Sequence, residues 1–313
     1  MAHIPVMLDE TLKYLNVKED GMYIDGTLGG GSHSEAILKQ LTSGFLYGFD
    51  QDEEAIQRTK NKLAPYKGKV DIIQSNFEFM KEALEQRNIH GVDGILLDLG
   101  VSSFHFDDEN RGFTYRKDAP LDMRMDLSNP TDAKTILNTY AFKTLRQILF
   151  EYGEEKFAPK IASNIVKRRE EKPIETTHEL VDIIKSSMPQ KVLSKKGHPA
   201  KKTFQALRIA VNDELGVLKR TIDKALSLLN PEGRLVIITF HSLEDRIVKK
   251  AFKKAATIDH PKDIPVMPSK TPDFELLHRK VITPSETELN KNNRSHSAKL
   301  RAIRKVNKNT ENE

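Results

Sequence analysis

The sequence contains no cysteine. A disulfide framework, a thiolate zinc site and a cysteine nucleophile are therefore excluded, and a reducing cytoplasm is the expected compartment. No apolar run approaches the roughly 18–20 residues that a membrane helix needs. The opening stretch MAHIPVMLDE lacks the basic-then-apolar pattern of a secretion signal, so no membrane partner is expected. Internal repeats are also missing. Net charge is a modest +5 with a pI near 9.0, but its distribution is uneven. Lys167, Arg168 and Arg169 cluster, as do Lys191, Lys195, Lys196, Lys201 and Lys202, and the segment from Lys291 to Lys308 is almost free of acids. One such run is ordinarily a solvated face; three together point to an anionic polymer as partner. At 313 residues and 38% hydrophobic content, the chain can bury a full core. It has room for two domains, or for one domain with an insertion.

Periodicity gives the organisation. GMYIDG, GFLYGFD, VDIIQSNF and VDGILLDLG read as strands, and SHSEAILKQL, EEAIQRTKNKL and FMKEALEQRN as the helices between them. Near-continuous apolar strands alternating with helices predict a parallel sheet covered on both faces, with ligands at the carboxyl ends of its strands. The rhythm breaks after Gly100. From Val101 to about Arg208 there is a polar loop rich in charge and aromatics, then helical patterns, one of them starting with Pro130 in its first turn after Asn129. The sheet pattern returns at LNPEGRLVIITFHS, behind the amphipathic stretch DELGVLKRTIDKALSLL. The expected architecture is an α/β fold with an inserted all-helical domain. Its core lies in residues 1–102 and 209–313, the second part carrying a basic, terminally frayed tail, and the insertion spans residues 103–208.

The stretch YIDGTLGGGSHSEAIL places four glycines between Gly26 and Gly31, joining a strand to a helix. Glycines there let a ligand approach the backbone, and the helix start offers unpaired N–H groups. The dinucleotide pattern G-x-G-x-x-G does not fit, because Gly29 and Gly31 are followed by Ser34 where a third glycine belongs. Asp25 directly precedes the first glycine, which suits a nucleoside carrying a cationic group better than a pyrophosphate. The second strand ends in Asp50, about twenty residues on, where an acid that bonds ribose hydroxyls belongs. Phe77 is placed to cover an adenine or simply to pack in the core. With Asp98 at the end of the fourth strand, the set looks like an S-adenosylmethionine pocket.

That order of elements resembles the Rossmann-like S-adenosylmethionine-dependent methyltransferase fold. A closer resemblance is carried by HIPVMLDE, DGTLGGGSHS, ILLDLGVSS, RGFTYRKDAPLDMRMD, TFHSLEDR and RSHSAKLR, nearly end to end. Together they are similar to the bacterial 16S ribosomal RNA cytosine-N4 methyltransferase family, RsmH or MraW. The resemblance implies a cytoplasmic RNA-binding transferase that uses S-adenosyl-L-methionine on a decoding-region cytosine of the small subunit. It implies cofactor contacts at Gly31, Ser32, His33, Asp50, Phe77, Asp98 and His105. Ser32 stands where many members have another glycine, so a side chain must be accommodated there.

Methyl transfer from a sulfonium to an exocyclic amine is a direct displacement that needs alignment more than strong acid or base groups. A hydrogen-bond acceptor on the amine would help, because the cytosine nitrogen is a poor nucleophile. Other amino methyltransferases use a D/N/S-P-P-Y/F segment after the fourth strand; here the stretch is DLGV, keeping only Asp98. Asp98 is therefore the candidate catalytic residue, with a purely cofactor- or backbone-bonded carboxylate as the equal alternative. Phe104, Phe106, Phe113 and Tyr115 are candidates to hold a flipped base, although one or two would anchor the loop. Arg111, Arg116 and Arg124 could contact phosphate or pair with Asp122 and Asp126. Ser242 is expected to cap the following helix, with Asp245 completing a capping box. His241 has no such role and is left facing substrate. His33, His105 and His241 lack paired ligand spacing, so no metal is expected.

Two other readings stay open. One is an S-adenosylmethionine enzyme acting on a protein or small metabolite; the other is a non-catalytic ribosome-binding protein that keeps the fold. The helical insertion could serve homodimerisation as well as RNA.

Overall fold

Each of the first four strands is a short apolar run ending in a polar residue. They are β1 (Met22–Asp25), β2 (Phe45–Asp50), β3 (Val70–Gln74) and β4 (Val92–Asp98). The structure, a computed structural model, describes residues 4–100, 108, 110–258 and 271–308. β1 to β4 pair in parallel, and so does β5 (Leu229–Thr239) on β4. Parallel neighbours need crossovers. These are made by α2 (Ser32–Leu38), α3 (Glu53–Leu63) and α4 (Met80–Glu85), with α1 (Leu8–Leu15) preceding β1. The sheet order is β3-β2-β1-β4-β5-β7-β6, where β6 is Phe274–Leu276 and β7 is Lys299–Lys305. This is the Rossmann-like methyltransferase fold that the sequence leads one to expect.

Successive side chains of the central strands enter opposite layers. Ile95 and Leu97 of β4, with Leu235 and Ile237 of β5, join Phe49 and Phe252 in one core cluster. Leu96, Val236 and Ile238 join Leu46 and Leu300 in another. Because both faces are dry, the strands read as continuous apolar runs. Each fully buried aliphatic side chain contributes about 1.5–3 kcal/mol.

The segment from Lys291 to Lys308 is not a free basic tail. Leu300, Ala302 and Ile303 are buried, which makes β7 an antiparallel strand between β5 and β6. Its cations meet acids: Arg301 Nε lies 2.7 Å from Asp245, Lys299 Nζ 3.5 Å from the same carboxylate, and Arg304 2.8 Å from Glu232 and 2.6 Å from Glu275. Lys308 pairs with Asp273. The expectation that this segment grips phosphate overlooked these partners, which lie far away in sequence.

The chain divides into two compact units, residues 1–100 with 215–313, and residues 101–214. The second unit is helical: α5 (Ala133–Thr139), α6 (Phe142–Gly153), α7 (Ala158–Glu171), α8 (Thr177–Ser186), α9 (Gln190–Leu193) and α10 (Lys201–Asn212). It has its own core of Leu145, Leu149, Ile161, Ile165, Leu180, Ile184, Phe204 and Leu207. α10 runs through position 208, where the sequence pattern suggested a join, and α11 (Glu214–Leu228) follows it. Pro130 does not open α5. Asp132 caps that helix instead, its carboxylate accepting from the Thr135 N–H at 2.7 Å. Among the described residues no helix is long and apolar enough to cross a membrane.

Candidate active site at the carboxyl ends of the strands

The glycine loop ties three strand ends together through its backbone. Gly26 N–H donates to Leu96 O at 2.9 Å, and Leu28 N–H donates to Phe49 O at 2.9 Å. Gly29 N–H donates to Asp50 Oδ2 at 2.8 Å, and Asp52 N–H to Asp50 Oδ1 at 2.9 Å. Asp50 is thus fixed at the tip of β2 by backbone donors on both of its oxygens. Gly31, at φ 69°, starts α2 in the left-handed region, and a Cβ there would lie 2.6 Å from Thr59 Cγ2. Thr59 donates to Gly29 O at 2.7 Å, and Lys62 Nζ donates to Ser32 Oγ at 2.8 Å, so α3 braces the loop from behind. Phe77 is half-buried after β3, beside Gly26. Gly31, Ser32, His33, Asp50, Phe77 and Asp98 therefore border one region. His105 lies outside the described residues.

Acidity accumulates at the ends of β1 and β4. Asp25 is buried, with its carboxylate accepting from Ser34 Oγ at 2.6 Å and from Thr27 N–H at 3.1 Å. Burial raises its pKa, and these hydrogen bonds oppose the rise. The backbone N–H of Asp98 donates to Thr27 Oγ1 at 2.7 Å. Its side chain keeps 23% of its surface exposed, yet Oδ1 is sealed from solvent and has no hydrogen-bond partner among the described residues. Burial, then the negative charges of Asp25 and Glu244, hold the Asp98 carboxyl well above the usual carboxylate range. His33 lies against it, Nδ1 3.6 Å from Asp98 Oδ2, while its Nε2 is 3.0 Å from Val6 O. Burial pushes the imidazole down to about 4, so it is neutral at ordinary pH. No lysine or arginine pairs with Asp98 among the described residues. This donor set fits a cationic ligand with ribose hydroxyls, since Asp98 has an orphaned oxygen and no cation on it among the described residues, while two backbone N–H groups fix the Asp50 carboxylate at the strand end.

Sequence reasoning assigned several residues differently. His241 is the N-cap of α12 (Ser242–Ala255), where Glu244 N–H donates to its Nδ1 at 3.4 Å. Glu244 closes the box by accepting from the His241 N–H at 3.1 Å, and it also accepts from Phe240 N–H at 2.8 Å. The cap is therefore one residue earlier than the Ser242 and Asp245 pair expected, because a histidine nitrogen can accept as a hydroxyl does. Arg111 is buried and donates to Arg124 O at 2.7 Å. Arg124 makes a two-pronged contact with Asp122, at 2.9 and 2.8 Å, and donates to Leu127 O and Asn129 O. These guanidinium groups hold the loop's own shape rather than reaching for phosphate. Phe113 is a core residue of the helical unit, and Tyr115 stacks on His198 with centroids 4.1 Å apart. Phe104 and Phe106 lie outside the described residues. Ser34, Thr27, Thr59 and Val6 were missed as supporting residues. Ser34 was visible as the position that spoils the dinucleotide pattern, whereas Val6 contributes a carbonyl that no sequence pattern marks.

Among solved structures, the chain resembles a protein provisionally named an rRNA methylase of Clostridium thermocellum, at 12% identity, a TM-score of 0.47 and coverage of 97% of this chain and 100% of that one. It also resembles an rRNA methylase of Streptococcus thermophilus, at 11% identity and a TM-score of 0.45, covering 98% and 100%. A provisionally named methyltransferase of Streptococcus mutans, solved in complex with SAH, matches at 12% identity and a TM-score of 0.44, covering 97% and 100%. The sequence itself is more decisive than these backbone likenesses, for residues 1–306 match the model of one family throughout, and the chain belongs to the MraW methylase family.

Proposed function

We propose that this methylase uses S-adenosyl-L-methionine to methylate the N4 amine of a decoding-region cytosine in 16S ribosomal RNA of the small subunit. The observation that carries the cofactor reading is the pairing of a backbone-fixed Asp50 with an unpartnered Asp98 oxygen across one glycine loop. When bound, the cofactor supplies an electrophilic methyl group on a positively charged sulfur. Asp50 would hold the ribose, Phe77 would cover the adenine, and the loop from Gly29 to His33 would approach the methionine end. Asp98 ends β4 beside the glycine loop and is the candidate to bond the amine hydrogens of the acceptor. The cytosine must leave its stack to reach such a recessed point.

Substrate class rests on the family and on charge. Lys191, Lys195, Lys196 and Lys201 are exposed and form no ion pair among the described residues, which suits contacts to RNA phosphates. Arg169 is excluded from that role, since it donates to Leu137 O and Tyr140 O at 2.8 and 2.7 Å.

The test incubates purified protein with small subunits from a strain lacking the modification, using labelled S-adenosylmethionine, and maps the product by mass spectrometry. N4-methylcytidine in 16S RNA, absent with Asp50→Ala, is the expected result. Cofactor binding without labelled RNA would overturn the substrate reading and redirect the search to protein or metabolite acceptors.

A further inference from the structure

Asp98 and His33 lie side by side, and the tautomer of one bears on the protonation of the other. His33 Nε2 lies 3.0 Å from the Val6 carbonyl, which can only accept, so Nε2 carries the ring hydrogen. Nδ1 is then a lone pair, and it lies 3.6 Å from Asp98 Oδ2. Were Asp98 ionised, two acceptors would oppose each other in a recess. A doubly protonated imidazole would relieve that, but burial holds His33 near 4, with Lys62 of α3 adding to the effect. The other charged groups bearing on Asp98 have the wrong sign to stabilise a carboxylate: Asp25 from β1 and Glu244 from α12. Its Oδ1 has no donor among the described residues.

We propose that Asp98 rests as a neutral acid turned towards His33 Nδ1, gives its proton to solvent when the sulfonium of S-adenosylmethionine arrives, and recovers one from the methylated amine. The proposal rests on the cofactor reading above. The atoms balance. On binding, the Asp98 O–H bond breaks, leaving a carboxylate opposite the incoming positive charge, and buffer takes the proton. On transfer, the nitrogen–carbon bond forms as the carbon–sulfur bond breaks, and the amine loses one hydrogen to Asp98. The sulfur is then a neutral thioether, and Asp98 is again the neutral acid. His33 is the positioning residue: its fixed tautomer offers the protonated form an acceptor and offers the carboxylate nothing. The same device separates substrate cofactor from product, because only the former arrives with a charge that ionises Asp98.

The experiment is calorimetry of full-length protein near neutral pH with S-adenosylmethionine and with S-adenosylhomocysteine, each in buffers of different ionisation enthalpy. The buffer dependence counts protons. Release of a substantial fraction of a proton with S-adenosylmethionine, and little or none with S-adenosylhomocysteine, is expected. Asp98→Asn, nearly isosteric, should bind without release. Equal proton counts for the two compounds, or release that persists in Asp98→Asn, would overturn the proposal. Infrared difference spectra against Asp98→Asn supply a second readout, a protonated-carboxyl stretch present in the free protein and lost on adding S-adenosylmethionine. Absence of that band in the free protein would also overturn it. A protein that shows the band but gives no binding heat with either compound would instead refute the cofactor reading, and with it the coupled release.

Discussion

Two stretches of this chain look equally functional in sequence, and the structure uses them in opposite ways. In the loop from Arg111 to Asp126, the guanidinium groups are held locally: Arg124 by the Asp122 carboxylate, and Arg111 by backbone carbonyls. At the strand ends around the glycine loop, Asp25, Asp98 and Glu244 gather without a cation on Asp98. The first arrangement is held mainly within the loop, although Arg111 Nε has no partner among the described residues, and breaking it should cost stability. The second is incomplete, and breaking it should alter binding. Charge density alone does not mark a site; unmatched charge does.

The sharpest way to separate the two is to add one methyl group to each. Gly112 has φ +67°, and a Cβ there would fall 2.2 Å from Pro120 O, a backbone atom that cannot step aside. Gly112→Ala should lose about 3–4 kcal/mol in denaturant unfolding. Gly31→Ala meets a side-chain methyl of Thr59 instead, and should lose about 1–2 kcal/mol while abolishing calorimetric cofactor binding. Similar stability losses for both would break the comparison.

A pH titration of stability comes next in size. His33 has a folded pKa of about 4 against the ordinary 6.5. The unfolded chain therefore binds the extra proton between those values, so stability is full above pH 6.5 and falls as pH drops towards 4. The loss should reach about 3 kcal/mol. Asp98 acts in the opposite sense: raised above 3.8, it favours the fold at low pH and loses that contribution as pH climbs through its folded value. Asp98→Asn should thus steepen the net acid destabilisation, and His33→Gln should flatten it. Urea unfolding between pH 4 and 7 measures both.

Arg124→Ala should lose about 2–3 kcal/mol, with Arg124→Lys failing to restore it, because a single ammonium cannot reproduce the two-pronged contact. Calorimetric cofactor affinity should stay unchanged. A variant of normal stability but reduced RNA affinity would move Arg124 to the binding surface. Smallest is the cap: His241→Ala should lose about 1 kcal/mol and His241→Asn should recover most of it.

The first five strands and the glycine loop were legible because local pattern determines them. Asp50 and Asp98 could be placed from their position after apolar runs. The role of β7 was not legible, since the alternation of Leu300 and Ala302 is short and its arginines match acids such as Glu232 and Asp245 only after folding. His241 was misread because capping is usually sought among hydroxyl and carboxyl residues. His33 was marked by its family motif alone; its meaning depends on Val6 O, a backbone atom supplied by a segment without pattern.

The sheet's last partner arrives late. Met7 N–H donates to Glu288 at 2.8 Å, Asn292 donates to Ile4 O at 3.2 Å, and β7 closes against β5. On a translating ribosome, the residues that anchor Val6 beside His33 are made near the start, and those that lock them in place are made near the finish. The helical unit draws its own core from one continuous stretch and can fold while synthesis continues. The catalytic half must wait, so a chain stalled before Glu288 would carry a finished insertion and an unfinished pocket.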